Sequence, residues 1–187
     1  MRVQNRELWL SALAIIIITA VYALFKWQTR LIPPASGLFG HLIGVLGFLL
    51  MLMTEILYSL RKRSRKASWG KMVNWLQFHI FTGIVGPYMV LLHTSWKFNG
   101  LAGATIALTL IIVLSGFVGR YLYTLIPRTV DGVEVETSQD QSQVIYLRKV
   151  RRAFSIWHAI HIPLGVALFT AAFIHIGAAL YYATLLF

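Results

Sequence analysis

The chain lacks cysteine and is poor in charge, with only six acidic residues among 187. Without thiolates it cannot ligate an iron–sulfur cluster, attach a c-type haem covalently or form a disulfide. Charged residues make up 12% of the sequence, about half the share of an average soluble domain, whereas 58% of residues are hydrophobic. This composition indicates an integral membrane protein, in which any redox metal must be held by histidine.

Five apolar stretches are long enough to cross a membrane. They cover approximately residues 8–26, 37–60, 73–95, 101–126 and 154–182. We therefore predict an all-α, five-transmembrane-helix bundle that forms a single domain over residues 1–187. The polar segment 127–152 is predicted to be a cytoplasmic loop. The first stretch has no small-residue cleavage site, so we expect no cleaved signal peptide.

The net charge of +11 is distributed unevenly between the two predicted membrane sides. With the N-terminus in the cytoplasm, fourteen of the seventeen Lys and Arg residues lie inside and three lie outside. The positive-inside rule therefore predicts an N-in, C-out orientation, and we place the chain in a bacterial inner membrane. This segregation argues against nucleic-acid binding. The basic run 61–66 is read as a topology signal, with a docking surface for an acidic partner or anionic lipid as the alternative.

Two histidine pairs share one spacing inside the third and fifth apolar stretches. His79 and His93 are fourteen residues apart, and so are His161 and His175. Fourteen helical residues turn through about 1400°, so both side chains of a pair lie within about 40° on one face, about 21 Å apart along the helix. Two such helices side by side provide two bis-imidazole sites, which is the ligand set that two b haems require.

The predicted topology decides how the histidines pair. The third and fifth helices are one span apart, so they run parallel, and residues at equal depth meet. The cytoplasmic-side haem is then held by His79 and His161, and the outer haem by His93 and His175. Two strong axial ligands favour electron transfer over oxygen chemistry. The competing interpretation is a set of polar hydrogen bonds between helices.

The histidines and their small neighbours resemble those of the di-haem b-type membrane cytochromes. The stretches that carry the likeness are FHIFTGIVGP, LLHT, WHAIHIPLG and AAFIHIG, within residues 73–182. They are similar to the haem-binding helices of small bacterial cytochrome b proteins. The cytochrome b of quinol-oxidising complexes and the membrane domain of ferric reductases and NADPH oxidases have a similar arrangement. The resemblance implies two haem b groups between helices 3 and 5.

Departures from these families bear on the redox partners. The chain has no Pro-Glu-Trp-Tyr quinol-oxidation motif, and we expect no flavin or nicotinamide domain after the last span. We therefore expect a partner subunit, a flavin, iron–sulfur or c-type cytochrome protein, to supply or accept electrons. Quinone is the other candidate for exchange. The function predicted is transmembrane electron transfer as the membrane subunit of an oxidoreductase complex in a respiratory or other electron transport chain.

The other two histidines and one acid are candidates for accessory roles. His158 shares a helix face with His161, but its spacing of seventeen to His175 disfavours it as a ligand. We assign it a propionate or proton-exchange role, or none. His41 and Glu55 are fourteen apart on the second stretch. Glu55 is a candidate for proton or quinone work or for pairing with a basic residue, and His41 for contact with haem or quinone.

Two further features concern cofactor contacts. A small-residue stripe of Gly40, Gly44 and Gly47 allows close helix approach or contact with a flat cofactor. Haem propionates need cations or hydrogen-bond donors, and candidates lie at both membrane surfaces. Those inside are Arg120, Arg128 and Lys71, and those outside are Lys97, Ser95 and Thr94.

Two alternative functions remain open from the sequence. A stand-alone quinone or ferric reductase requires a substrate pocket at one haem, with His41 or Glu55 essential for turnover. A non-redox membrane transporter or assembly anchor requires a protein that binds no haem.

Overall fold

The computed structural model describes residues 5–63, 70–127 and 141–185, and the secondary structure in these ranges is helical. The five helices are α1 (Arg6–Thr29), α2 (Leu38–Arg63), α3 (Met72–His93), α4 (Gly100–Thr124) and α5 (Gln141–Leu185). Each is long and apolar enough to cross a membrane. The prediction of an all-α protein with five such helices is confirmed.

The described connections between helices contain residues that stop a helix locally. Arg30 follows α1 with a left-handed φ of 57°, and Pro33 and Pro34 come shortly after it. Ser95 and Trp96, with φ of 50° and 63°, follow α3. Three turn residues with positive φ and a proline pair therefore end the helices and keep these connections short.

Helix α5 begins earlier than the sequence predicted. The proposed loop 127–152 is wrong over residues 141–152, which form the first turns of α5; its part from residue 128 to 140 lies outside the described ranges. The segment from 141 to 152 is polar but has no glycine or proline. Leu147 and Val150, three residues apart, are both buried. Good helix formers and one buried edge favour a helix despite the low hydropathy.

The chain divides into two compact units, and the first contains α1, α2 and α3. Helix α3 packs against both α1 and α2. The hydrophobic core of this unit consists of Tyr22, Ile43, Val85, Met89 and Leu92. Polar side chains also join the helices, since the hydroxyls of Thr19 and Tyr88 are 2.5 Å apart. Central placement of α3 means that its side chains have contacts on two sides.

The second unit contains α4 and α5, which pack against each other. Contacts of Ser115 with His161 and of Gly119 with Trp157 show that the two helices run antiparallel, because the residue numbers increase in one helix as they decrease in the other. Leu168 is 2% exposed and Ala172 is 6% exposed. They lie on the same side of α5, one turn apart, and mark its packed face.

Candidate functional site

His79 is oriented by a backbone carbonyl of the neighbouring helix. Its Nδ1 donates a hydrogen bond to the carbonyl oxygen of Thr54 on α2, at 3.2 Å. The ring of Tyr58 lies beside it, with 4.8 Å between ring centroids. Because a carbonyl oxygen can only accept, Nδ1 carries the proton in the neutral ring and Nε2 carries the lone pair. Nε2 is therefore the atom of His79 suited to bind a metal.

His93, at the other end of α3, is held in the same way. Its Nδ1 donates to the carbonyl oxygen of Gly40 on α2 at 2.8 Å, which again leaves the lone pair on Nε2. The ring lies directly over Gly44, where an added Cβ would be 2.7 Å from the ring Cγ and Nδ1. The ring of His41 is 6.2 Å away in an edge-on arrangement. Gly44 is therefore needed for this ring position.

These contacts follow one register along the α2–α3 interface. The facing pairs are Thr54 with His79, Gly47 with Gly86, and Gly40 with His93. Each pair is seven residues from the next on both helices, which is the spacing of an antiparallel coiled-coil seam. At the middle pair the two backbones touch, because neither residue has a side chain to separate them. This close approach brings the α2 carbonyls within reach of both imidazoles.

A buried hydroxyl pair lies next to the His79 contact. The Thr54 hydroxyl donates to the Thr82 hydroxyl at 2.6 Å, and the Thr82 hydroxyl donates to the carbonyl oxygen of Phe78 at 2.9 Å. Thr82 is 0% exposed. Buried hydroxyls without partners are costly, so this pair holds α2 and α3 in a defined register at the depth of His79.

His161 on α5 has a side-chain partner rather than a backbone partner. Its Nδ1 lies 3.0 Å from the hydroxyl oxygen of Ser115 on α4. The indole of Trp157 stacks on the imidazole, with 4.8 Å between centroids and 30° between planes. The same indole Nε1 donates to the carbonyl oxygen of Ser115 at 2.7 Å and to its hydroxyl oxygen at 3.1 Å. Ser115 therefore links both rings to α4.

Gly119 makes room for the Trp157 indole. An added Cβ at Gly119 would overlap the indole atoms Cζ2 and Cε2. The indole therefore lies flat against the α4 backbone, one turn from Ser115. Any larger residue at position 119 would displace the ring that stacks on His161.

His175 and His158 are the other two histidines of α5. Both are half-buried on α5. Within the described ranges, no hydrogen-bond partner of the His175 ring is found. The ring of His158 lies 6.1 Å from that of its neighbour Trp157. The Ser115 hydroxyl lies beside His161, the candidate ligand of α5.

The accessory candidates lie at several places. His41 is exposed, and Glu55 is half-buried and accepts a hydrogen bond from the Ser59 hydroxyl at 3.4 Å on its own helix. Arg120 is half-buried near the end of α4, and Lys97 is exposed between α3 and α4. The remaining propionate candidates are Lys71, exposed before α3, Arg128, outside the described residues, and Thr94 and Ser95 after α3.

Thr94 and Ser95 already use their hydroxyl protons. The Thr94 hydroxyl donates to the carbonyl oxygen of Leu91 at 2.7 Å. The Ser95 hydroxyl donates to the carbonyl oxygen of Pro33 at 2.5 Å. Both hydroxyls are therefore hydrogen-bonded within the protein in this conformation. Ser95 connects the end of α3 to the α1–α2 connection.

Several residues of the site were missed by the sequence analysis. They are Thr54, Tyr58 and Thr82 beside His79, and Ser115, Gly119 and Trp157 beside His161. Two spacings carried a signal for them. Gly40 and Thr54 are fourteen residues apart, as are the histidines they contact, and Ser115 and Gly119 are four apart, as are Trp157 and His161. Such matched spacings are typical of packed antiparallel helices.

The described side chains do not form a metal site from protein ligands alone. Among residues 5–63, 70–127 and 141–185, no three His, Cys, Asp or Glu side chains converge. A porphyrin iron needs only two axial protein ligands, so the donor set is compatible with haem.

Comparison with known proteins finds no family model, no curated protein and no solved structure that matches this chain. What the chain does must therefore be inferred from the geometry of its histidines.

Proposed function

We propose that this chain is a membrane cytochrome b that carries electrons across the bilayer through two bis-histidine haem sites. One observation carries the proposal: both histidines of α3 donate Nδ1–H to backbone carbonyls of α2. The two carbonyls, like the two histidines, are fourteen residues apart. A metal-bound histidine usually donates its other ring N–H to a carbonyl or carboxylate in this way, because the hydrogen bond orients the ring and raises the basicity of Nε2. A purely structural histidine has no need for the same tautomer at two sites about 21 Å apart.

The residues fit the requirements of a bound haem at the level of donor chemistry. The chain provides four candidate imidazole ligands on two helices and no competing thiolate. Haem, when bound, supplies a one-electron iron couple, and the protein sets its potential through ligand basicity and burial. The carbonyls of Thr54 and Gly40 hold two of the imidazoles, and Ser115 contacts a third. These contacts fix the orientation of the three rings.

The pairing of the ligands follows from the sequence and its predicted N-in, C-out orientation. Helices α3 and α5 are separated by one span, so both run from the cytoplasm outward, and His79 pairs with His161 and His93 with His175. In the di-haem b-type cytochromes that the sequence resembles, two parallel helices one span apart likewise each provide two histidine ligands. We further propose that the chain is a subunit of a redox complex in a bacterial inner membrane, exchanging electrons with quinone or a partner protein.

The decisive experiment is to purify the chain in detergent and measure haem per polypeptide with the reduced-minus-oxidised spectrum. We expect about two non-covalent b haems per chain, since two axial imidazoles are needed for each iron. His79→Ala, His93→Ala, His161→Ala and His175→Ala should each lose one haem. His158→Ala is the matched control on the same helix face and should retain both.

Two results would contradict this proposal. A colourless preparation of folded protein would favour the transporter or anchor alternative. Loss of one haem in His158→Ala together with full haem in His161→Ala would mean that the ligand on α5 was chosen wrongly. A stand-alone reductase would instead show normal haem content but lost turnover with quinone or ferric chelate in His41→Ala or Glu55→Gln.

A further inference from the structure

The histidines of the two helices are held by different chemistry. On α3 the acceptors are main-chain carbonyls of Thr54 and Gly40, which no substitution removes. On α5, His161 meets a side-chain hydroxyl and an indole ring, from Ser115 and Trp157. The partner of the His161 Nδ1 atom is therefore a side chain, which mutation can delete without altering the backbone.

The contacts among these three side chains form a closed set. Ser115 Oγ is 3.0 Å from His161 Nδ1 and 3.1 Å from Trp157 Nε1, and the indole stacks on the imidazole at 4.8 Å. Trp157 is anchored independently, by its 2.7 Å hydrogen bond to the Ser115 carbonyl oxygen and by the space that Gly119 leaves. Neither ring can rotate without breaking at least one of these contacts.

We propose that Ser115 and Trp157 are positioning residues that set the ring orientation and the protonated nitrogen of His161, and thereby the affinity and potential of the haem it ligates. This inference rests on the proposed function. When Nε2 binds iron, Nδ1 must carry the proton and donate it to the Ser115 oxygen. That oxygen then accepts from both the imidazole and the indole, and the stacked indole prevents the imidazole from turning away.

The direction of the effect follows from ligand basicity. A hydrogen bond donated by Nδ1–H makes Nε2 a stronger donor, which stabilises ferric iron and lowers the potential. Removing the acceptor weakens the ligand, so the potential of this haem rises and the haem is held less tightly. Loss of a partner of this kind typically weakens metal binding about 10-fold to 100-fold. The other haem, whose ligands touch neither residue, should keep its potential.

The test compares four variants of the full chain purified with haem. Ser115→Ala removes the hydroxyl, Trp157→Phe removes the indole N–H, and Ser115→Thr restores a hydroxyl. Ser115 lines a groove of about 490 Å³ together with apolar side chains, which is where the added methyl group is expected to lie. Thr109→Val is the matched control, because Thr109 is a buried α4 residue whose hydroxyl donates only to the Thr105 carbonyl oxygen.

Two readouts are measured: transfer of haem to apomyoglobin, and a potentiometric titration of both haems. We expect Ser115→Ala to release one of two haems about 10-fold to 100-fold faster and to raise the potential of that haem alone. Trp157→Phe should change both quantities in the same direction by less. Ser115→Thr, which keeps a hydroxyl at position 115, should give wild-type values, and so should Thr109→Val.

Several outcomes would overturn the inference. It fails if Ser115→Ala and Trp157→Phe behave as wild type, if Thr109→Val produces the same change, or if Ser115→Thr does not restore the values. If Ser115→Ala does not fold, the comparison of Trp157→Phe with Thr109→Val decides in the same way. A wild-type protein without haem refutes the proposed function itself, which the haem count detects before any variant is compared.

Discussion

Gly47 of α2 and Gly86 of α3 meet backbone to backbone, midway between the two histidines of α3. A Cβ on Gly47 would lie 2.8 Å from the Gly86 carbonyl oxygen, and a Cβ on Gly86 would lie 2.9 Å from the Gly47 carbonyl oxygen. Neither glycine tolerates a side chain without movement of a helix. This contact sets the distance at which His79 and His93 reach the carbonyls of α2.

Gly86→Ala should therefore destabilise the protein and disturb the contacts of both His79 and His93 with α2. The added methyl group meets backbone and Met51 atoms at 2.9 to 3.1 Å, so α2 and α3 must separate. Overpacking of this kind costs about 1 to 3 kcal/mol. We expect a lower thermal midpoint in detergent and partial loss of both haems, measured by thermal unfolding and by haem content.

Gly83→Ala is the matched control for this substitution. It adds the same methyl group to the same helix, but the nearest atom, Thr54 Cγ2, is 3.6 Å away, an ordinary contact. Equal destabilisation by the two variants would mean that the glycine contact does not set the helix separation.

Gly44→Ala should affect one histidine only. The new methyl group would lie 2.7 Å from the His93 ring, so the imidazole must leave its position and its hydrogen bond to Gly40. We expect loss of the haem ligated by His93 and retention of the one ligated by His79, giving about one haem per chain. Redox titration identifies which haem remains, and loss of both haems would argue against independent sites.

Thr54→Val should cost stability without loss of haem. The carbonyl that orients His79 belongs to the backbone and survives the substitution, whereas the hydroxyl bond to Thr82 is lost. A net buried hydrogen bond contributes about 1 kcal/mol. We expect a modest fall in the thermal midpoint and an unchanged haem content. Loss of one haem would mean that the side chain at position 54, and not its carbonyl, is what His79 needs.

The orientation is testable because the chain has no cysteine. Lys97→Cys and Arg148→Cys each introduce a single thiol at an exposed position. With N-in, C-out topology, a membrane-impermeant maleimide added to intact cells should label Lys97→Cys but not Arg148→Cys. Permeabilised cells, in which both variants should be labelled, provide the control. The reverse pattern in intact cells would invert the two membrane sides.

The sequence predicts the helices and the glycine stripe of α2 that approaches α3, but not the acceptors on that face. Fourteen-residue spacing drew attention to His41 and Glu55, whereas the carbonyls that accept from α3 belong to Gly40 and Thr54, one residue earlier. A shift of one residue rotates a helix face by about 100°. Hydropathy cannot resolve this difference, because in a membrane protein both the lipid-facing and the packed sides are apolar.

The sequence alone determined the five apolar helices and the equal spacing of the two histidine pairs, because helix length and period follow from composition and numbering. Only the tertiary structure decided which atom orients each ring: carbonyls of Thr54 and Gly40 for α3, and the hydroxyl of Ser115 for His161. Every residue carries a backbone carbonyl, so the sequence does not indicate which carbonyl accepts a hydrogen bond from a histidine. That choice depends on how closely the two helices pack.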